Sequence, residues 1–361
     1  MRRTLLAACM LSTFLLSGCR GEKADDNTPA SPPQTECIVK YTPVKDQGDS
    51  SLCWMYAMLA TIESEHLMRG DSVNLSPHFV ARHMLELQAE QYYLSDGRKP
   101  IVMRGVCSQL IDLIMRNGIC QFDSYKSQVN YNVLSRKVEE LCKTAISRRI
   151  GVKQLKKQLG NLLDKEIRPD LRYVFLYGAE YTPQEFSRSV CRDDEYMALT
   201  SFTHHPFGEK FVLEVPDNHG HYTFLNLPLD TLTHHIEQAL RHGHPVCWEG
   251  DTSEALFSFA KGRARLVDDR SPVTQEKRQY EFERFNTTDD HCMEIIGIAR
   301  TPKGKKYFIC KNSWGTENPF KGLMYMSENY LRAKTVGVWM TQEAFNLSSP
   351  TSHPAPPTTK K

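Results

Sequence analysis

The two halves of this 361-residue chain carry different apolar periodicities, and this division limits the folds that it can adopt. Apolar residues recur at helical spacing from Cys53 to about Leu67. A second helix is predicted to begin at Ser76-Pro77, and a third to end at Asn117-Gly118. After about residue 200 the pattern changes to short apolar runs such as Met293 to Ala299, which are typical of strands. Helices followed by strands predict an α+β fold with two lobes.

Composition and charge exclude several classes of protein. With 40% hydrophobic and 24% charged residues, the chain resembles an ordinary globular protein rather than a fibre, a disordered chain or a multi-span membrane protein. Its 45 Lys and Arg residues against 43 Asp and Glu leave a net charge of +2, too little for a basic nucleic-acid-binding surface. We therefore expect no nucleic acid among its partners.

The first residues are typical of an export signal. Two arginines precede an apolar run from Leu5 to Leu16, which is shorter than the roughly 20 residues needed to span a membrane but suits a signal peptide. The run ends in Leu16-Ser17-Gly18-Cys19, which resembles the bacterial lipobox, in which the cysteine is acylated and becomes the first mature residue. We predict a signal peptide at 1–18 and lipid attachment at Cys19. The alternative is an ordinary signal peptide in which this cysteine is incidental.

Two polar segments flank the predicted folded part. Residues 19–36 are polar and rich in proline, which indicates a flexible tether, and residues 348–361 contain four prolines without apolar periodicity, which predicts a disordered tail. An exported protein, anchored by lipid to a bacterial cell membrane on its periplasmic or cell-surface face, follows from the leader and the tether.

Cysteine and histidine spacing gives little indication of metal binding. No C-x-x-C pair is present. Nine cysteines remain when Cys9 of the predicted signal peptide and Cys19, the predicted site of lipid attachment, are excluded, and this odd number points to a free thiol. Any disulfide pairing stays open. Four histidine pairs lack carboxylate or thiolate partners at ligand spacing, so we interpret them as surface or cap positions: His204/His205, His219/His221, His234/His235 and His242/His244. We predict no metal site.

Three short segments carry the residues that thiol-dependent acyl chemistry requires. They are Gln47 to Trp54, Asp289 to Cys292, and Lys311 to Gly315. A thiol attacks a carbonyl only as thiolate, and the predicted helix N-terminus at Cys53 favours that anion. A histidine can hold the proton while an asparagine accepts from its other nitrogen, and amide donors can stabilise an oxyanion.

In these segments the chain resembles the papain superfamily of cysteine peptidases. The resemblance implies that Cys53 is the nucleophile, His291 the general acid and base, and Asn312 the group that orients the histidine. It also implies an oxyanion hole made by Gln47 and the Cys53 N–H, with Trp314 covering the His–Asn hydrogen bond. Peptides are the implied substrates, and no metal or organic cofactor is implied.

Two departures from the papain signature indicate one branch of that superfamily. The sequence Ser50-Ser51-Leu52-Cys53-Trp54 lacks the disulfide cysteine before the nucleophile, and His291 follows Cys53 by 238 residues instead of roughly 130–150. Further segments, among them Phe211 to Asn218 and Gly250 to Glu254, resemble the bleomycin hydrolase/aminopeptidase C branch. Cys292, beside the histidine, is interpreted as a core strand residue and not as a second nucleophile.

The resemblance implies a papain-like two-lobe α+β fold within residues 37–347. A helical left lobe is expected at about 47–140, an inserted helical segment at about 141–200, and a β-rich right lobe at about 201–345. The cleft is expected to lie between the lobes.

The same branch implies aminopeptidase activity, because the C-terminal carboxylate of bleomycin hydrolases lies in the cleft and pairs with the free amine of the substrate. Here the last matching strand, Val336 to Met340, is followed by a longer tail that ends in Lys360-Lys361, a poor match for such a clamp. An aminopeptidase is favoured. An endopeptidase with an open cleft, an acyl transferase and a catalytically silent peptide-binding surface lipoprotein stay open. The branch often forms hexameric barrels, so a homo-oligomer also stays open, although a lipid tether on each protomer makes that assembly harder to assume.

Overall fold

The computed structural model describes residues 32–176 and 178–347. The predicted signal peptide, most of the tether, Cys19 and the predicted tail at 348–361 lie outside the described residues. Within the described ranges, no helix combines the length and the apolar character that crossing a membrane would need.

Helices and strands alternate in blocks along the described residues. The helices are α1 (Cys53–Met68), α2 (Pro77–Leu94), α3 (Cys107–Asn117), α4 (Tyr131–Arg148), α5 (Val152–Glu166), α6 (Pro183–Val190), α7 (Leu229–Arg241), α8 (Gln275–Glu283), α9 (Glu328–Lys334) and α10 (Gln342–Leu347). The strands are β1 (Gln34–Ile38), β2 (Val174–Leu176), β3 (Ala179–Tyr181), β4 (Tyr196–Thr200), β5 (Lys210–Val212), β6 (Thr223–Asn226), β7 (Val246–Gly250), β8 (Phe257–Ser258), β9 (Arg263–Ala264), β10 (His291–Arg300), β11 (Lys306–Lys311), β12 (Leu323–Ser327) and β13 (Thr335–Thr341). The predicted α+β class is confirmed.

Short sequence signals determine where several helices begin and end. Ser76 Oγ accepts a hydrogen bond from the backbone N–H of Phe79, so the predicted serine cap begins α2. Helix α3 ends at Gly118, whose φ of +82° favours glycine and where a Cβ would lie 2.2 Å from the carbonyl carbon of Pro183. Thr182 begins α6 with a reciprocal capping box.

Within the described ranges, eleven strands form one mixed sheet in which β10 holds a central position. The strand order is β5-β6-β4-β13-β7-β10-β11-β12-β9-β8, and β1 pairs with β10 outside this path. Strand β10 runs antiparallel to β7 and β11, with His291 opposite Gly250 and Cys292 opposite Glu249. This register fixes the positions of the first residues of β10 relative to β7.

The sheet separates two hydrophobic clusters. Successive residues of β10 point to opposite faces, so Cys292 packs in the cluster that contains Trp54 of α1, and Met293 packs in the cluster that contains Trp248. Helix α1 contacts β10 and β7, and α7 also contacts both strands. Burial of the first face is what places the N-terminus of α1 near the beginning of β10.

The folded part begins earlier than the predicted tether allows. Strand β1 overlaps residues 34–36 of that tether, because its main chain pairs antiparallel with β10. Glu36 also forms ion pairs with Arg241, at 3.0 Å, and with Arg300. An edge strand stabilised by main-chain hydrogen bonds needs no apolar pattern, so composition alone gave no sign of it.

The inserted segment, predicted as helical, is of mixed structure. Between 141 and 200 it contains the end of α4, then α5 and α6, but also the hairpin β2–β3 and the strand β4, which joins the main sheet beside β13. Within the segment Phe211 to Asn218, strand β5 ends at Val212, because the Asn218 side chain donates to the carbonyl oxygens of Leu213 and Tyr222 and curls the following loop.

Candidate active site

Cys53 is the first residue of α1, as predicted. The side chain is partly exposed, whereas Trp54 beside it is buried and donates from its indole nitrogen to the carbonyl oxygen of Met103, at 3.0 Å. This anchoring fixes the first turn of the helix, whose free N–H groups favour a negative charge on the neighbouring sulfur.

His291 and Asn312 come together although they lie on different strands. His291 begins β10, and Asn312 follows the last residue of β11. The His291 Nε2 lies 2.7 Å from Asn312 Oδ1, and both residues are buried. Because an amide oxygen can only accept, Nε2 carries the proton, and Nδ1 is left for exchange with the thiol.

Trp314 covers this pair, as predicted. Its ring centroid lies 4.4 Å from that of His291, and its indole is packed edge-on against Phe257 and Phe259. The indole keeps water from one side of the His–Asn hydrogen bond, which strengthens that bond by lowering the local dielectric.

Gln47 lies beside the site with its amide held in a defined orientation. Its Nε2 donates to the carbonyl oxygen of Ser50 at 2.7 Å, and its Oε1 accepts from Ser313 Oγ at 2.6 Å. Its main chain also donates to the Ser313 carbonyl oxygen. An amide nitrogen has two hydrogens, so one remains for an oxyanion. The positioning role of Ser313 was not predicted, although this residue stands within the Asn-Ser-Trp-Gly motif.

The pKa of the Cys53 thiol lies well below its ordinary value. The largest cause is a hydrogen bond from the Cys292 thiol; burial acts in the opposite direction, and the hydrogen bond and charge of His291 lower the pKa further. Burial raises the pKa of Cys292 well above its usual range, so that residue stays a thiol and can donate. Cys292 therefore lies in the core strand, as predicted, and also contacts the reactive sulfur.

Three buried carboxylates lie next to these residues and were not predicted. Asp217, Glu249 and Asp289 each place one carboxylate oxygen within 4.8 Å of the others. Asp289 precedes His291 by two residues, and Glu249 is the cross-strand neighbour of Cys292. The sequence did carry a signal, because Glu249 interrupts the apolar run of β7.

Arg104 is the cation bound to this carboxylate cluster. Its Nε lies 2.8 Å from both carboxylate oxygens of Asp217, and its Nη2 donates to the main-chain oxygen of Asp289. The backbone N–H of Asp217 donates to Asp289 Oδ2 at 2.8 Å. Among the described residues, Glu249 Oε2 has no hydrogen-bond partner.

Burial raises the pKa of each carboxyl group in the cluster. The pKa of Asp289 is raised to about 6 by burial and by the charge of Asp217. Burial and the neighbouring Cys107 and Asp289 raise the pKa of Glu249 well above its ordinary value. The pKa of Asp217 is also raised by burial, against the lowering effect of Arg104.

The histidine pairs differ from the prediction in two respects. His204 and His205 do have a carboxylate partner, Glu214, whose oxygens lie 3.2 and 2.6 Å from their Nε2 atoms. His235 and His244, both expected at a surface or cap, are buried, and the Nδ1 of His244 lies 3.0 Å from Glu65. Both contacts join separate elements, so spacing along the chain gave no sign of them.

Comparison with known proteins gives one family match and a likeness of fold. The model of the Peptidase C1-like family matches residues 175–346, a range that contains His291 and Asn312 and begins after Gln47 and Cys53. Comparison with curated proteins gives no sequence match.

Among solved structures, PepW from Lactobacillus rhamnosis HN001 is similar at 16% identity and a TM-score of 0.67, over 87% of this chain and 83% of that one. Bromelain from Ananas comosus, solved in complex with the E64 inhibitor, aligns at 15% identity and a TM-score of 0.40, over 86% of this chain and 99% of that one. The fold is papain-like, as predicted, and the likeness to PepW carries this conclusion.

Proposed function

We propose that this protein is a cysteine peptidase that hydrolyses peptide bonds through a thioacyl-enzyme. The observation that carries the proposal is the convergence of Cys53 at the beginning of α1 with the His291–Asn312 pair. The low thiol pKa and the oriented amide of Gln47 support it. The Peptidase C1-like match over the second half of the chain and the papain-like fold support it as well.

The geometry supports a two-step reaction. The Cys53 thiolate attacks the peptide carbonyl carbon, and the negative oxygen is stabilised by Gln47 Nε2 and the Cys53 N–H. Loss of one such donor typically costs ~10²–10³ in rate. The protonated His291 gives its Nδ1 proton to the leaving amine, which departs and leaves a thioester. The neutral His291 then takes a proton from the water molecule that hydrolyses this thioester, and the acid product is released.

The finer proposal is an aminopeptidase of the bleomycin hydrolase type. It rests on the missing disulfide cysteine before Cys53 and on the long separation of Cys53 and His291. A chain truncated after Leu347 tests whether the tail carboxylate supplies the specificity. Unchanged preference for free-amine substrates would exclude a clamp by the tail, whereas loss of that preference would assign it to the tail.

A matched pair of fluorogenic peptides, one with a free N-terminus and one N-acetylated, tests the function. The variant Cys53→Ala should abolish turnover, and Cys142→Ala, which changes a buried thiol of α4, should retain it. Turnover of the free peptide alone supports an aminopeptidase, and turnover of both supports an endopeptidase. Absence of Cys53-dependent turnover would overturn the peptidase proposal and favour the peptide-binding lipoprotein.

We also propose that the protein is exported and anchored by lipid at Cys19. The support is the leader sequence, with its short apolar run and the lipobox-like Leu16-Ser17-Gly18-Cys19. Mass spectrometry of the mature N-terminus should find a lipid-modified Cys19. An unmodified N-terminus at another residue would exclude the anchor.

A further inference from the structure

The carboxylate cluster beside the active site is not balanced by the charges around it. The guanidinium of Arg104 faces three buried carboxylates, and its hydrogen bonds go to the Asp217 side chain and to the main chain of Asp289. No hydrogen bond from Arg104 to the carboxylate of Glu249 or Asp289 is present in the described residues. Buried carboxylates without a cation are costly, so this site favours either protonation or a further positive charge.

The side chain of Glu249 independently points to a ligand at this cluster. It is 2% exposed, its Oε2 has no partner among the described residues, and one of its carboxylate oxygens lies within 4.8 Å of an oxygen of each of the other two. A buried polar atom without a partner destabilises the fold, and more strongly when the group is charged. Such an atom is retained more readily where a ligand completes its hydrogen bonds.

The size of the cluster suits an ammonium group. An ammonium nitrogen at hydrogen-bond distance from three oxygens requires them to lie within on the order of 5 Å of one another. The three carboxylate oxygens meet this condition, since they lie within 4.8 Å of one another. An ammonium also has three hydrogens to donate, one for each carboxylate.

The carboxylate cluster lies next to the residues that would act on the substrate of Cys53. Glu249 lies opposite Cys292, whose thiol hydrogen-bonds the reactive sulfur, and Asp289 lies two residues from His291. Antiparallel neighbours have Cα atoms about 4.5–5.5 Å apart, so Glu249 is adjacent to the strand residue that contacts the reactive sulfur.

We propose that Asp217, Glu249 and Asp289 bind the free α-ammonium group of a peptide cleaved after its first or second residue. This inference rests on the proposed function and deepens it, because the selection for a free N-terminus is assigned to the body of the fold and not to the tail. Arg104 holds Asp217 in place, and its side chain, 46% exposed, lies at the solvent side of the cluster.

The test measures the preference for a free over a blocked N-terminus in the full chain. Amides of one amino acid and of a dipeptide are compared, each free and N-acetylated, by the ratio of their kcat/KM values. In Glu249→Gln this ratio should fall at least tenfold, mainly through KM of the free substrates. Asp289→Asn, which keeps an oxygen for the N–H of Asp217, should lower the ratio in the same direction. Glu140→Gln, an exposed carboxylate of α4, should keep the wild-type ratio.

Thermal unfolding of each variant shows whether it is folded, and a variant that fails to fold leaves the other to decide. If the wild type cleaves none of the amides in a Cys53-dependent manner, the proposed function is wrong. If the wild type is active and the folded variants keep its ratio, the peptidase proposal stands and the ammonium site is excluded.

Discussion

Ser313 joins Gln47 to Asn312. Its hydroxyl donates to Gln47 Oε1 at 2.6 Å, and its backbone N–H donates to Asn312 Oδ1 at 2.8 Å. One residue thus orients both the amide that faces the oxyanion and the amide that faces the histidine. Since both amides act only in one orientation, the serine couples the N-terminal segment to the loop after β11.

The variant Ser313→Ala should lower kcat about tenfold and change KM little. Without the hydroxyl, Gln47 can rotate its amide, and an oxyanion donor acts mainly in the transition state. Steady-state kinetics on the free-amine peptide measures the effect. Ser187→Ala, which removes a hydroxyl buried against the carbonyl oxygen of Gln184, is the control, and equal kcat values for the two variants would contradict the role of Ser313.

Asn312→Ala should lower kcat/KM by ~10-fold to 10²-fold, because His291 loses the acceptor that fixes its tautomer and ring orientation. Asn312→Asp keeps an acceptor oxygen and should recover part of the activity. Kinetics on both variants, at the pH optimum of each, measures the difference. Full activity in the alanine variant would show that Asn312 does not orient the histidine.

Cys292→Ala should shift the acidic limb of activity to higher pH. The Cys292 thiol stabilises the Cys53 thiolate, so its removal raises the pKa of Cys53, and a higher pH is needed to form the nucleophile. The rate of iodoacetamide alkylation of Cys53 against pH reports this pKa directly. Cys310→Ala, another buried cysteine of the sheet, is the control and should leave the profile in place. An unchanged profile in Cys292→Ala would refute the contact.

Asp289→Asn should change the pH dependence of stability. The pKa of Asp289 is about 6 in the folded state and ordinary, near 3.8, when unfolded. The folded state therefore binds more protons than the unfolded state between these values, and the free energy of unfolding falls as the pH rises through this window. Because asparagine does not ionise, the variant keeps the stability that the wild type loses in this window, roughly 3 kcal/mol at most.

Urea unfolding of wild type and Asp289→Asn at pH 4 and at pH 7 measures the difference. The free energy of unfolding of the variant, relative to that of the wild type, should be higher at pH 7 than at pH 4. An equal difference at both pH values would mean that Asp289 has the same pKa in the folded and the unfolded state.

The sequence by itself determined the features that depend on neighbouring residues. The serine cap of α2, the glycine end of α3 and the position of Cys53 at the beginning of α1 follow from hydrogen bonds and periodicity within a few residues. The four residues of the candidate site were named from the sequence, because each lies in a short segment with a recognisable pattern, and their catalytic roles stay predictions.

Only the tertiary structure decided which distant groups meet. The pairing of β7 with β10 places Glu249 opposite Cys292, and the loop after β5 brings Asp217 to Asp289. Strand register depends on the burial of whole faces and on main-chain hydrogen bonds between segments far apart in the chain. Apart from Glu249, which interrupts the apolar run of β7, neither leaves a local pattern, which is why the meeting of the three carboxylates, the role of Ser313 and the edge strand β1 were not apparent in the sequence.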